Sequence, residues 1–68
     1  MISIEQIQIR LADAIKQSGL TQTAIAQQLQ ITQSAIAHYI KGDILPSLDT
    51  FANLCKLLEV DTNYILCQ

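Results

Sequence analysis

Thr32, Gln33 and Ser34 stand side by side and are followed at helical spacing by Ala37, His38 and Lys41. The chemistry they offer is neutral hydrogen bonding. A glutamine amide sets a donor beside an acceptor and matches N6 and N7 of adenine; hydroxyls suit several base edges, and a threonine methyl can meet the methyl of thymine. Covalent or acid–base chemistry has no comparable constellation. Catalysis requires a base or nucleophile with an orienting partner, or a metal, and the chain has one histidine with no cluster of acids around it. Neither an enzyme nor a cofactor is expected. Cys55 and Cys67 are the only cysteines and, without histidine neighbours, lack the spacing of a zinc site. They are read as ordinary reduced thiols, the alternative being a crosslink between two chains through Cys67.

The elements that position these residues are written in a repeat. LTQTAIAQQL at residues 20–29 is followed by ITQSAIAHYI at residues 31–40, an eleven-residue offset. That offset also suits one long helix. However, each copy opens with an apolar residue, a threonine able to cap, and an isoleucine placed to receive the first: Leu20, Thr21 and Ile25, then Ile31, Thr32 and Ile36. A continuous helix over 20–41 would also spread its large apolar residues over two arcs, which is wide for a small protein. A break near Gln30 turns both arcs inward, so the spacing predicts two helices.

The same start recurs at Ile2, Ser3 and Ile7, with Gln6 in the capping-box position, and at Val60, Asp61 and Ile65; Pro46, Ser47 and Phe51 form a weaker version in which the serine can cap. Five helices are therefore predicted. The first spans about 4–18, with Ile4, Ile7, Leu11, Ala14 and Ile15 on one stripe, Ile9 off it and Gly19 as the stop. The second spans about 22–29 with Ile25, Ala26 and Leu29 inward; the third spans about 33–41 with Ile36 and Ile40 inward and ends at Gly42. The fourth spans about 48–58 around Phe51, Leu54, Cys55 and Leu58, and a short last helix follows Asp61 and carries Tyr64, Ile65 and Leu66. No strand pattern appears. The fold class is all-α, one compact domain over residues 1–68.

Sixty-eight residues are near the lower end of what folds without metal or disulfides. Half of them are hydrophobic, enough for a helical core. The apolar runs are too short to span a membrane, and the amino terminus lacks a signal-peptide layout, so an intracellular, cytoplasmic protein is expected. The formal net charge of −2 and pI of about 4.9 argue globally against a nucleic-acid partner. The distribution argues otherwise. No Asp or Glu lies between Asp13 and Asp43, whereas Lys16, His38 and Lys41 do. By composition alone, the polar residues of the third helix fit either a solvated face or a contact surface, and His38 is open between the same two readings.

Leu20-Thr21-Gln22, Ile25-Ala26, Leu29, Ile31-Thr32, Ile36, Lys41-Gly42, Pro46-Ser47-Leu48, Leu54 and Val60 to Leu66, in this order and spacing, resemble the five-helix DNA-binding domain of phage repressors and Cro, the XRE-type regulators. The resemblance implies a compact lambda-repressor-like domain with a helix-turn-helix formed by the second and third helices. It implies sequence-specific binding of double-stranded DNA as a transcriptional regulator, read as a repressor with the direction of regulation left open, by a homodimer on a near-palindromic operator, in the cytoplasm of a bacterial cell or a phage-infected host. Carried over by position, Thr32, Gln33, Ser34, Ala37 and His38 face bases, while Thr21, Gln22 and Lys41 meet the backbone.

The chain also departs from that family. Gln30 stands where a glycine is common in the turn, at a cost of about 1 kcal/mol if its backbone is left-handed. An Arg–Glu pair frequent in relatives is replaced by Ile15 and Ile40, and the loop after Gly42 reads Asp43-Ile44-Leu45 where relatives carry Lys or Arg. The competing reading is a helix-turn-helix adaptor or antitoxin-like protein with little DNA binding, whose protein partner would meet Ile9, Ile44 and Leu45. Ile44 and Leu45 also fit burial under their own loop or within a homodimer.

Overall fold

A computed structural model describes residues 1–68 and contains five helices: α1 Ile4–Gln17, α2 Gln22–Leu29, α3 Gln33–Lys41, α4 Leu48–Leu58 and α5 Thr62–Ile65. There is no strand, and no helix is long and apolar enough to cross a membrane. The predicted boundaries are matched within a residue, because most starts are fixed by local hydrogen bonds. Ser3 Oγ accepts from the Gln6 amide at 3.3 Å, Thr21 Oγ1 from Ala24 at 3.0 Å, Thr32 Oγ1 from Ala35 at 3.1 Å, and the Asp61 carboxylate from Asn63 at 3.0 Å. Each satisfies a backbone N–H that the helix itself leaves unpaired.

Ser47 is the exception. It occupies the cap position of α4 but makes no capping bond; its hydroxyl donates to Asp49 Oδ1, 2.7 Å away. An ionised acceptor makes the stronger hydrogen bond and takes the proton-bearing oxygen away from capping geometry. The same bond holds the Asp49 carboxyl below the usual carboxylate range, and the acid itself sits in the first turn, where the helix dipole favours it.

Leu11, Ile15, Ile25, Ala26, Ile36, Tyr39, Leu54, Cys55 and Ile65 form the buried core, with Leu29, Ile31, Ile40, Phe51, Leu58 and Val60 packed around it. Every helix contributes, α3 packing on both α1 and α2, and α2 also on α4. Several inward expectations need correction. Ile4 is exposed, and Ala12 takes a buried place instead. Leu20 does not fold over Ile25 but remains 43% exposed, its amide bonded to Ser18 Oγ in the turn at Gly19; Ile25 is covered by the core without it. Tyr39 is buried more deeply than Ile40, and burial raises its phenol pKa. No buried polar side-chain atom lacks a partner, so the Tyr39 hydroxyl is not stranded in the core.

Both cysteines are free thiols; Cys55 is buried, and that burial pushes its pKa up, which makes it a poor nucleophile. The one-turn helix α5 is fastened by Ile65 in the core and by Arg10. The guanidinium of Arg10 donates to the Tyr64 carbonyl at 2.7 Å and lies 4.6 Å from the Tyr64 ring centroid. One of the chain's four Lys and Arg side chains is thereby used to hold the two ends of the fold together.

Candidate nucleic-acid interface

Two short helices joined by Gln30-Ile31-Thr32 make the turn that sets α3 across α2. Gln30 has φ 56 and ψ 42, a left-handed backbone, so the condition under which it carries strain is met. The strain is offset by hydrogen bonds: Gln30 N–H reaches carbonyls at the end of α2, Ile31 N–H bonds Ala26 O at 3.0 Å, and Ile31 packs against the core. This is the helix-ending motif in which a left-handed residue is followed by an apolar anchor.

With Ile36 and Tyr39 buried, the opposite side of α3 faces outward. Thr32, Gln33, Ser34 and Lys41 are exposed, and Ala37 and His38 are partly so. Thr21 is exposed and Gln22 half-buried at the start of α2. The amino ends of α2 and α3 both carry backbone N–H groups without helical partners, and both carry the positive end of a helix dipole. Gln33 is not loose. Its Oε1 accepts from Thr23 Oγ1 at 3.2 Å, a bond across the turn that orients the amide while leaving its NH₂ and one oxygen lone pair unused. His38 Nδ1 lies 2.9 Å from Asp43 Oδ1, and the bond to His38 is the main cause holding the Asp43 carboxyl below the ordinary value.

Sequence reasoning did not find either link. Thr23 and Gln33 are ten residues apart, a separation that means proximity only once the turn is known. His38 and Asp43 are separated by a helix end, and nothing in the sequence shows that the acid turns back onto the ring. The apolar replacement for the common ion pair is compatible with the core: Ile15 is buried within it, and Ile40 packs half-buried against it.

Ile44 and Leu45 remain exposed at 50% and 39%, although Leu45 edges an apolar recess with Ile7, Leu11, Phe51 and Leu66. Ile9 is exposed on α1, and no cluster of His, Cys, Asp and Glu is arranged to hold a metal ion.

No curated protein and no solved structure matches the chain. The family model HTH_3, described as helix-turn-helix, matches residues 11–65, from the middle of α1 to the end of α5. With five helices in this order and the turn between α2 and α3, the chain belongs to the helix-turn-helix family HTH_3, the XRE-type, Cro/repressor-like class of DNA-binding regulators.

Proposed function

We propose that this protein is a sequence-specific reader of double-stranded DNA that lays α3 in the major groove and represses transcription by occupying its site. The observation that carries the reading is Gln33: exposed at the first turn of α3 and oriented by Thr23, its amide is prepared to bond one base, adenine by preference. Thr32, Ser34, Ala37 and His38 form the rest of the base-facing surface, and Thr21, Gln22 and Lys41 meet phosphates, the first two at the amino end of α2. The protein works in the cytoplasm as a homodimer on a near-palindromic site.

Phosphate contacts supply most sequence-independent affinity. Here they are few: Arg10 is engaged with α5, and the loop after α3 carries Asp43 in place of a cation. Binding to random DNA is weak, and affinity falls gently with salt. A steep salt dependence would contradict this.

The test is selection of binding sites from a random duplex library at low salt, with the wild type and Gln33→Ala in parallel. The wild type is expected to recover a near-palindromic motif, and the variant to lose preference at one position per half-site, worth about 1–3 kcal/mol there. No enrichment by folded protein sinks the proposal. It would favour an adaptor that binds protein through the recess beside Leu45, where Leu48 is 87% exposed.

A further inference from the structure

Asp43 follows the cap of α3 directly, where a carboxylate would oppose the phosphate backbone of any duplex that α3 enters. The carboxylate is not left free. His38 is tied to this loop twice, through its ring to Asp43 Oδ1 at 2.9 Å and through its carbonyl, which accepts from Gly42 N–H at 2.9 Å. Only Nδ1 of the ring is used; Nε2 has no hydrogen-bond partner in the chain, and the side chain keeps 38% of its exposure.

A carboxylate facing Nδ1 holds a hydrogen on that nitrogen whether the ring is neutral or charged. In the neutral ring Nε2 is then an acceptor; in the imidazolium it carries a second N–H. Protonation thus changes only the outward nitrogen, from acceptor to donor, and takes the pair from one net negative charge to none.

We propose, on the DNA-reading assignment above, that Asp43 is a positioning residue for His38 and that duplex binding takes up one proton there, turning Nε2 into a donor toward an acceptor atom of the DNA. The acceptor is a guanine O6 or N7, or a phosphate oxygen. The surroundings leave this pair as the responsive one. On α3, Lys41 is one turn on and carries a fixed positive charge; α2, packed against α3, has no ionisable side chain. From α1, Glu5, Asp13 and Lys16 line a recess on the Lys41–Gly42 side, and in α4 Asp49 is occupied by Ser47.

The experiment measures affinity of the full chain for its selected duplex from about pH 5.5 to about pH 8 at fixed ionic strength, across the range in which histidine titrates. Affinity is expected to rise as pH falls, approaching but not exceeding about tenfold per pH unit, the limit for one proton. His38→Asn keeps an amide donor for Asp43 but cannot titrate, so its affinity should be flat with pH. Asp43→Asn should bind more tightly than wild type at high pH and respond less to acid. A merely structural role would lower thermal stability in both variants and leave the pH response intact. A wild type that binds equally at all pH values, or a response that survives in His38→Asn, overturns the inference while leaving the DNA reading standing. Failure to bind any duplex at any pH overturns both. Substituting 7-deazaguanine in the half-sites abolishes the response if N7 of a guanine is the acceptor, and methylphosphonate linkages abolish it if a phosphate is; a response that withstands both, with guanine O6 also removed by 2-aminopurine, overturns the donor role.

Discussion

Thr21 and Thr32 cap their helices through the same bond, hydroxyl to the amide three residues on, at 3.0 and 3.1 Å. Four residues after each cap an isoleucine, Ile25 or Ile36, is completely buried. The copies part company afterwards. The first closes after Leu29 on Gln30, a side chain forced to φ 56; the second runs one residue longer, buries Tyr39 and closes on Gly42 at φ 84. The outward positions differ as well: Gln27 and Gln28 are free at the surface of α2, whereas His38 of α3 is bonded to the following loop. The repeat is retained at the helix starts and at the two isoleucines, and divergence falls on the exits, on the outward face and on one core position, exposed Gln28 in the first copy and buried Tyr39 in the second.

If the two isoleucines answer the same demand, truncating either should cost about the same. Ile25→Ala and Ile36→Ala are each expected to lose about 2–5 kcal/mol, a large part of the stability of a small domain. The milder Ile25→Val and Ile36→Val, at about 0.5–1.5 kcal/mol each, keep the comparison measurable by denaturant unfolding if the alanine variants do not fold. A large inequality between the two sites would break the parallel.

The exits should respond in opposite senses. Gly42→Ala places a Cβ on a left-handed residue; it would lie 3.8 Å from Gln8, an ordinary contact, so the loss of about 1 kcal/mol comes from the backbone alone. Gln30→Gly relieves the same strain but gives the unfolded chain more freedom. It should therefore raise the denaturation midpoint only modestly, and Gly42→Ala, offset by the same unfolded-state effect in reverse, should lower it.

The smallest effect is acid sensitivity. Asp43 has a folded pKa below its ordinary value, chiefly through the hydrogen bond to His38, so its contribution to stability is complete above the usual carboxylate range and is lost as pH falls through the lowered value. Followed by NMR below about pH 4, the amide of Gly42 should shift with this titration while that of Gln30, which has no acid at its exit, should not.

All five helices were legible because their caps and apolar spacing are local. The left-handed backbone of Gln30 was legible only as a condition, from its place in the turn where a glycine is common. Glu59 at φ 55 was not anticipated, although Leu58-Glu59-Val60-Asp61 has the same pattern as Leu29-Gln30-Ile31-Thr32; Val60 N–H bonds Cys55 O at 3.1 Å just as Ile31 bonds Ala26. The pairs Thr23–Gln33, His38–Asp43 and Arg10–Tyr64 escaped because each depends on how elements are set against one another. Tyr39 was missed for a related reason: its burial follows from what α3 packs on, and its own helix offered Ile40 as an equally plausible inward residue.

The clamp of Arg10 on Tyr64 closes a span of fifty-four residues through an exposed guanidinium, and the element it holds is only four residues long. A single turn with one buried side chain opens for less free energy than the helices that share the central core. Local opening is therefore expected to begin with α5 detaching and exposing the site of Ile65, while α2 and α3 keep their relative geometry. The carboxy-terminal turn would then act as a local breathing unit, and the amides of Ile65 and Leu66 should exchange before those of α2 and α3.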